Sequence, residues 1–161
     1  MRVRRLTIAD FEELRTLANI CWSDTYKEIY KVSTIARNVR TYYSDKKLRH
    51  NLDEMRRGKG LFIVAVHSCI VGYAHVARRK DGWELLRIYV DPRSQRKGIG
   101  VRLLKRCESF LRENKVRSYI AHPHARNAEG IAFYLRLGFV RFQQGDRGRV
   151  SPCFRKMLSK R

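Results

Sequence analysis

The chain has 161 residues, 43% of them hydrophobic and 11% aromatic, which is the size and make-up of one folded domain and excludes a disordered chain. Lysine and arginine outnumber the acids by 36 to 15, and the formal charge of +21 is carried by both halves rather than by a tail. Such a field draws polyanions of any kind, so RNA, DNA and phosphorylated cofactors all remain open as partners, while the longest apolar run, Leu61–Val66, is too short to span a bilayer.

Residues Val3–Thr7 read as a first strand. Thr7 and Asp10 then have the spacing of a capping box, opening a helix that carries Phe11, Leu14, Leu17, Ala18 and Cys21 on one face. A second helical region covers Thr34 to Arg57, with a break expected at Ser44-Asp45, and Gly58 and Gly60 end it. Strands follow at Leu61–His67, Ile70–Arg79 and Trp83–Val90, separated by turns at Ser68-Cys69 and Lys80-Asp81-Gly82. Pro92 stops the third of these, and a glycine loop leads into a helix over Gly98–Asn114. A strand at Val116–His122, a helix at Asn127–Leu137 with Gly138 after it, and a hairpin of Phe139–Gln143 with Val150–Met157 complete the chain. This order predicts a single α+β domain over residues 1–161, with a mixed, mostly antiparallel sheet of about seven strands flanked by about four helices.

Cys21, Cys69, Cys107 and Cys153 are scattered, with no C-x-x-C pair, and read as buried reduced thiols; His122 and His124 have no Cys or carboxylate beside them, so no metal is expected. The basic N-terminus is followed by no apolar segment, so no signal peptide is expected and the location is read as cytoplasmic.

The chemistry centres on DPRSQRKGIGVRLL, Asp91 to Leu104, where Arg93, Arg96, Lys97 and Arg102 surround the start of a helix. Cations are disfavoured there, by about 0.3–1 kcal/mol each, unless an anion answers them. The free N–H groups of a glycine-opened helix are a phosphate site, and bare Gly98 and Gly100 let an anion come close. The spacing fits neither G-x-x-x-x-G-K-[ST] nor G-x-G-x-x-G, which disfavours NTPases and nicotinamide enzymes.

Gln95-Arg96-Lys97-Gly98-Ile99-Gly100 is a Q-x-x-G-x-G placed after the strand ending Tyr89-Val90, and Asn127 to Phe139 has the form N-x(6)-Y-x(3)-G-F. Together with the element order, these residues resemble the GNAT family of N-acetyltransferases over nearly the whole chain. The resemblance implies acetyl-CoA as donor, its diphosphate on the backbone of Gln95, Arg96, Lys97, Gly98, Ile99, Gly100 and Val101, and its pantetheine arm beside Ile88, Tyr89 and Val90, with Asn127 also in the cofactor site. It further implies direct transfer, with Tyr134 as general acid, a backbone N–H at Val90 as oxyanion donor and Glu84 as the base, directly or through water. For Glu84, a structural ion pair with a basic neighbour is the competing reading. On the helix of Asn127–Leu137, Ala128, Ile131, Ala132 and Leu135 form the expected apolar stripe, while Asn127 and Tyr134 share a bearing at its side.

CWSDTYKEIY, Cys21 to Tyr30, resembles the PaiA-like spermidine/spermine branch of the family. That places Trp22, Asp24, Tyr26 and Glu28 along the acceptor cleft with His75 opposite, although core packing accounts equally well for Trp22 and Tyr26. The positive field repels a polyamine unless Asp24, Glu28 and Glu84 reverse it locally. Three readings stand at this point: an acetyltransferase of small amines, one acting on protein N-termini or lysines, and a nucleic-acid-binding protein on the same platform. The chain is read as a monomer or homodimer, with the N-terminal helices and C-terminal hairpin as candidate surfaces.

Overall fold

The computed structural model describes residues 1–142 and 151–159; the expected turn at 144–149 lies outside them. Seven strands and five helices follow one another as β1 (Arg2–Arg5), α1 (Phe11–Tyr26), α2 (Val32–Tyr42), α3 (Asp45–Arg56), β2 (Gly60–Val66), β3 (Ile70–Arg79), β4 (Gly82–Val90), α4 (Ile99–Glu113), β5 (Ser118–Ala121), α5 (Ala128–Arg136), β6 (Val140–Phe142) and β7 (Cys153–Met157). The fifth helix comes from the break expected at Ser44. Its backbone is extended there, and its hydroxyl accepts the Lys47 N–H at 3.4 Å, which ends one helix and caps the next.

One sheet runs β1-β2-β3-β4-β5-β7-β6. Every neighbouring pair is antiparallel except β4 and β5, which are parallel. The last strand therefore inserts between β5 and β6 rather than adding at the edge. Alternation along β2 and β3 sends Phe62, Val64 and Tyr73 to one face and Leu61, Ile63, Ala74 and Val76 to the other. The first face is covered by α1, α2 and α3, through Leu14, Leu17, Ala18, Ile35, Val39 and Leu48. The second is covered by α4 through Ile99, Leu103, Leu104, Cys107 and Leu111. Two cores thus sandwich one sheet.

Three of the four cysteines are buried, reduced thiols as expected, whereas Cys69 sits exposed in the β2–β3 turn. Burial pushes the Cys21 and Cys107 thiols up to about 12.

Thr7 and Asp10 form the predicted N-terminal lock. The Asp10 carboxylate accepts the Thr7 N–H at 2.8 Å and takes both guanidinium nitrogens of Arg4 at 2.7 Å, tying β1 to the start of α1. The Arg4 hydrogen bonds hold the Asp10 carboxyl below its ordinary 3.8, against the opposing effect of burial. Because the folded value is depressed, this stabilisation is complete above pH 3.8 and disappears as pH falls through the folded value. Asp10→Asn should cost about 1 kcal/mol at pH 7 and nothing in strong acid, so the melting points of variant and parent should converge as pH is lowered.

Candidate active site

β4 and β5 pair only at Glu84↔Ile120 and Leu85↔Ala121. From Leu86 onward β4 keeps β3 on one side and has no strand on the other. The register slips at this point, His75 facing Arg87 and Val76 facing Leu85, so that Leu86 is the extra residue of a β-bulge. Beyond the bulge the Asp91 N–H donates to the Val71 carbonyl at 2.9 Å. Antiparallel alternation then turns the backbone polar groups of Arg87 and Tyr89 toward β3, and those of Ile88 and Val90 toward the gap. The Gln95 side-chain amide reaches the Val90 carbonyl from the gap side at 3.3 Å. An open strand edge thus lies in the middle of the sheet.

At the end of this edge stands the basic loop. Buried Asp91 accepts the Arg93 N–H at 2.9 Å and two guanidinium hydrogen bonds at 3.2 and 3.0 Å, which hold its carboxyl below the ordinary 3.8. Lys97 Nζ donates to the Arg93 carbonyl at 3.3 Å. Of the four cations singled out in the sequence, Arg96 and Arg102 remain unpaired among the described residues. Arg96 and Gly98 both take left-handed backbone, at φ 61° and 75°, folding successive N–H groups into a concavity at the α4 N-terminus. Nothing lies within 4 Å of where a Gly98 Cβ would be, so that glycine is required by its φ alone. Gly100 serves a different end. A Cβ there would meet Phe133 Cε2 at 3.2 Å, so the missing side chain admits α5 rather than an anion.

From α5, Tyr134 is the one fully buried residue. Its ring packs 5.0 Å from Phe139, 5.7 Å from Phe133 and 6.5 Å from Phe154. The expected stripe is thereby overturned in part. Ala128 and Ala132 are exposed and Leu135 is 52% exposed, while Ile131 packs against the core beside Tyr134. Burying Tyr134 and seating Phe133 on Gly100 removes more apolar area than two alanines offer. Asn127 caps the helix, its Oδ1 accepting the Gly130 N–H at 2.9 Å.

Across the gap, the Tyr26 and Tyr89 hydroxyls meet at 3.0 Å. Trp22 lies 5.0 Å from Tyr26, 5.9 Å from Tyr42 and 6.4 Å from Tyr89, and His124 lies 5.5 Å from Tyr30. The Arg126 guanidinium donates to the Glu28 carbonyl at 3.0 Å, tying the segment before α5 to the turn after α1. Burial raises the Tyr134 phenol well above its ordinary 10, with Tyr26 adding to the effect. Burial raises Tyr26 and Tyr89 in the same sense. Three neutral phenols, from α1, β4 and α5, lie near enough to act on one another's ionisation.

The other candidates are dispersed. Asp24 and Glu28 are exposed, and Asp24 lies 3.8 Å from Lys27 Nζ. His75 is completely buried, stacked 4.7 Å from Phe62, and does not line an open cleft; it sits beneath the helices because its β3 position faces them. Half-buried Glu84 has no ion-pair partner among the described residues. Sequence reasoning missed Tyr30, Tyr42, Tyr89 as a side chain, His124 and Arg87; the density of tyrosine in YKEIY and TYY was the available signal.

An open edge beside a bulge, a left-handed loop at a helix N-terminus and a buried tyrosine facing both define a class of acyl-carrier-dependent transferases. The family model of the acetyltransferase (GNAT) family matches residues 12–139, and the chain belongs to that family. A spermidine N(1)-acetyltransferase from Thermoplasma acidophilum is 31% identical over 144 residues, 86% of this chain and 88% of that protein. The crystal structure of paia N-acetyltransferase from the same organism in complex with coenzyme A superposes with a TM-score of 0.89, at 28% identity and 98% coverage of both chains. A GNAT-family acetyltransferase from Staphylococcus aureus Mu50 shares the fold at 17% identity, with a TM-score of 0.80 over 98% of this chain and 99% of that one. The protein is an acetyl-CoA-dependent acyltransferase. No described helix is long and apolar enough to cross a membrane.

Gly98→Ala should cost about 1 kcal/mol in denaturant unfolding, since the left-handed backbone is retained without glycine. Replacing Arg96 and Arg102 together by Gln should raise the KM for acetyl-CoA several-fold at low ionic strength, with the difference shrinking at about 0.5 M salt.

Proposed function

We propose that the chain acetylates the primary amine of a small molecule, in one direct transfer from acetyl-CoA held in the β4–β5 gap. The observation carrying this reading is the open edge of β4 at Ile88 and Val90, which leads from the left-handed loop past the paired hydroxyls of Tyr26 and Tyr89. The diphosphate rests on the left-handed loop from Gln95 to Val101, and the pantetheine arm extends strand-like along β4 toward the bulge. Asn127 keeps its Nδ2 for the cofactor, since its Oδ1 is held by the helix cap.

From sequence the oxyanion donor was placed at Val90. The geometry supports Ile88 instead. Val90 adjoins the loop, so an arm that starts at the loop passes Val90 first and brings its thioester to Ile88, the other residue whose N–H faces the gap. Glu84 lies four residues before Ile88, roughly 13 Å along the strand, so its action as base runs through water.

Tyr134 is a donor, not a readily ionised acid. Its raised pKa keeps the proton on the phenol, and the hydroxyl stabilises the departing thiolate by a hydrogen bond before yielding the proton to it. The ammonium loses one proton through Glu84 before attack, and the nitrogen loses a second as the amide forms; the second restores Tyr134 after it has protonated the thiolate, so one proton is released per turnover and the charge balance closes. The small-amine reading draws support from the similarity to the Thermoplasma spermidine acetyltransferase over 86% of this chain.

Tyr134→Phe should lower kcat by about 10²-fold or more with little change in the KM for acetyl-CoA. The profile of kcat should climb with pH as the acceptor amine loses its proton, with no falling limb below pH 10, because the folded Tyr134 titrates above that value. A falling limb near neutrality that vanishes in Tyr134→Phe would refute the assignment.

A further inference from the structure

β4 carries a second feature that the transfer reaction does not use. Phe62, His75 and Arg87 are direct cross-strand partners on β2, β3 and β4, and so form one row on the face covered by α1 to α3. The Arg87 guanidinium is held over the Tyr43 ring at 4.5 Å and the Phe62 ring at 5.6 Å, and its Nη2 donates to the Tyr42 carbonyl at 3.0 Å. Its Nη1 is enclosed and has no partner. Neither ring nitrogen of His75 has a partner, nor has Nδ2 of Asn51, which projects from the face of α3 that packs on β2. Glu54, on the same helix as Asn51, is engaged elsewhere: it holds Arg79 at 2.7 Å and lies 3.7 Å from His50. No described ion pair includes Arg87.

Buried donors without acceptors are uncommon in folded proteins, and a row of them around a guanidinium is a place prepared for oxygen. Resting on the reading of a small-amine acetyltransferase, we infer that Arg87 anchors a carboxylate on the acceptor, so that the substrate class is amines carrying a carboxylate rather than polyamines. Arg87 is the residue immediately before Ile88, on the side where Trp22 and Tyr42 approach β4. A carboxylate bound to Nη1 therefore lies several bonds from an amine at the thioester. Burial, with Arg87, Arg79 and His50 adding to it, holds His75 neutral, so it places no second fixed charge beside the guanidinium. The acids that would seat the second ammonium of a polyamine, Asp24 and Glu28, are exposed instead. Water filling the row is the competing account, and the experiment separates the two.

The test compares kcat/KM, by thiol release, for 5-aminopentanoate, 1,5-diaminopentane and spermidine, in the parent enzyme and in Arg87→Met and Arg87→Lys. The first two acceptors match in length and differ in the charge at the far end. The parent should prefer the amino acid. Arg87→Met should reduce the ratio of amino acid to diamine at least tenfold, mainly through KM, and Arg87→Lys should restore part of it, which a merely structural loss would not. A parent that prefers the diamines, or a ratio unchanged in both variants, overturns the carboxylate anchor and leaves the amine acetyltransferase standing. Absence of turnover with all three acceptors, despite coenzyme A binding, defeats the small-amine reading and this inference with it.

Discussion

The divergence of β4 from β5 is the constraint on which the rest depends. Parallel pairing stops after Leu85, while β7 occupies the other edge of β5. The two halves of the sheet therefore stay joined at one end and part at the other. A gap in a sheet would ordinarily leave unpaired backbone groups in a core, at a cost of about 1–3 kcal/mol each. Here the unpaired groups of Ile88 and Val90 face a ligand that supplies its own amides. The bulge at Leu86 helps by changing the register where the separation begins.

That gap also lets the two cores meet. Tyr134 belongs to the core under α4, and Tyr26 to the core under α1, yet burial raises both phenols and Tyr26 adds to the shift of Tyr134. In a continuous sheet they would lie on opposite sides of a wall. The opening is lined by aromatic rings and neutral hydroxyls, which provides a low-dielectric setting where a hydrogen bond to developing thiolate charge is worth more than in water. Charge is kept to the rim: Asp91 and Arg93 lock the loop, while Arg96 and Arg102 face outward toward any polyanion. The excess positive charge over the rest of the surface matches a phosphorylated donor and disfavours a polycationic acceptor.

Local order was legible because short-range chemistry determines it. The Ile70–Arg79 strand, the break at Ser44 and the glycine-opened start of α4 each follow from periodicity, a capping hydroxyl or a residue without Cβ. The loop was legible for the same reason, since its cations and glycines are contiguous. Side-chain destinations were less so. The stripe on α5 went wrong because periodicity ranks positions by hydrophobicity alone, whereas docking was decided by Phe133 meeting Gly100 and by the size of Tyr134. His75 looked like a cleft residue and is sealed beneath Phe62, which depends on a register with β2 that no local pattern specifies.

By itself the sequence determined the order of elements, the single α+β domain and the basic loop at the start of α4, all set by interactions within a few residues. Tertiary structure alone decided the insertion of β7, the parting of β4 and β5, the meeting of the Tyr26 and Tyr89 hydroxyls, and the isolation of Arg87 from any acid. These depend on contacts between elements far apart along the chain, such as Tyr26 with Tyr89 and Ser118 with Met157. Their closure is an outcome of packing the whole sheet at once, and no window of sequence contains both partners.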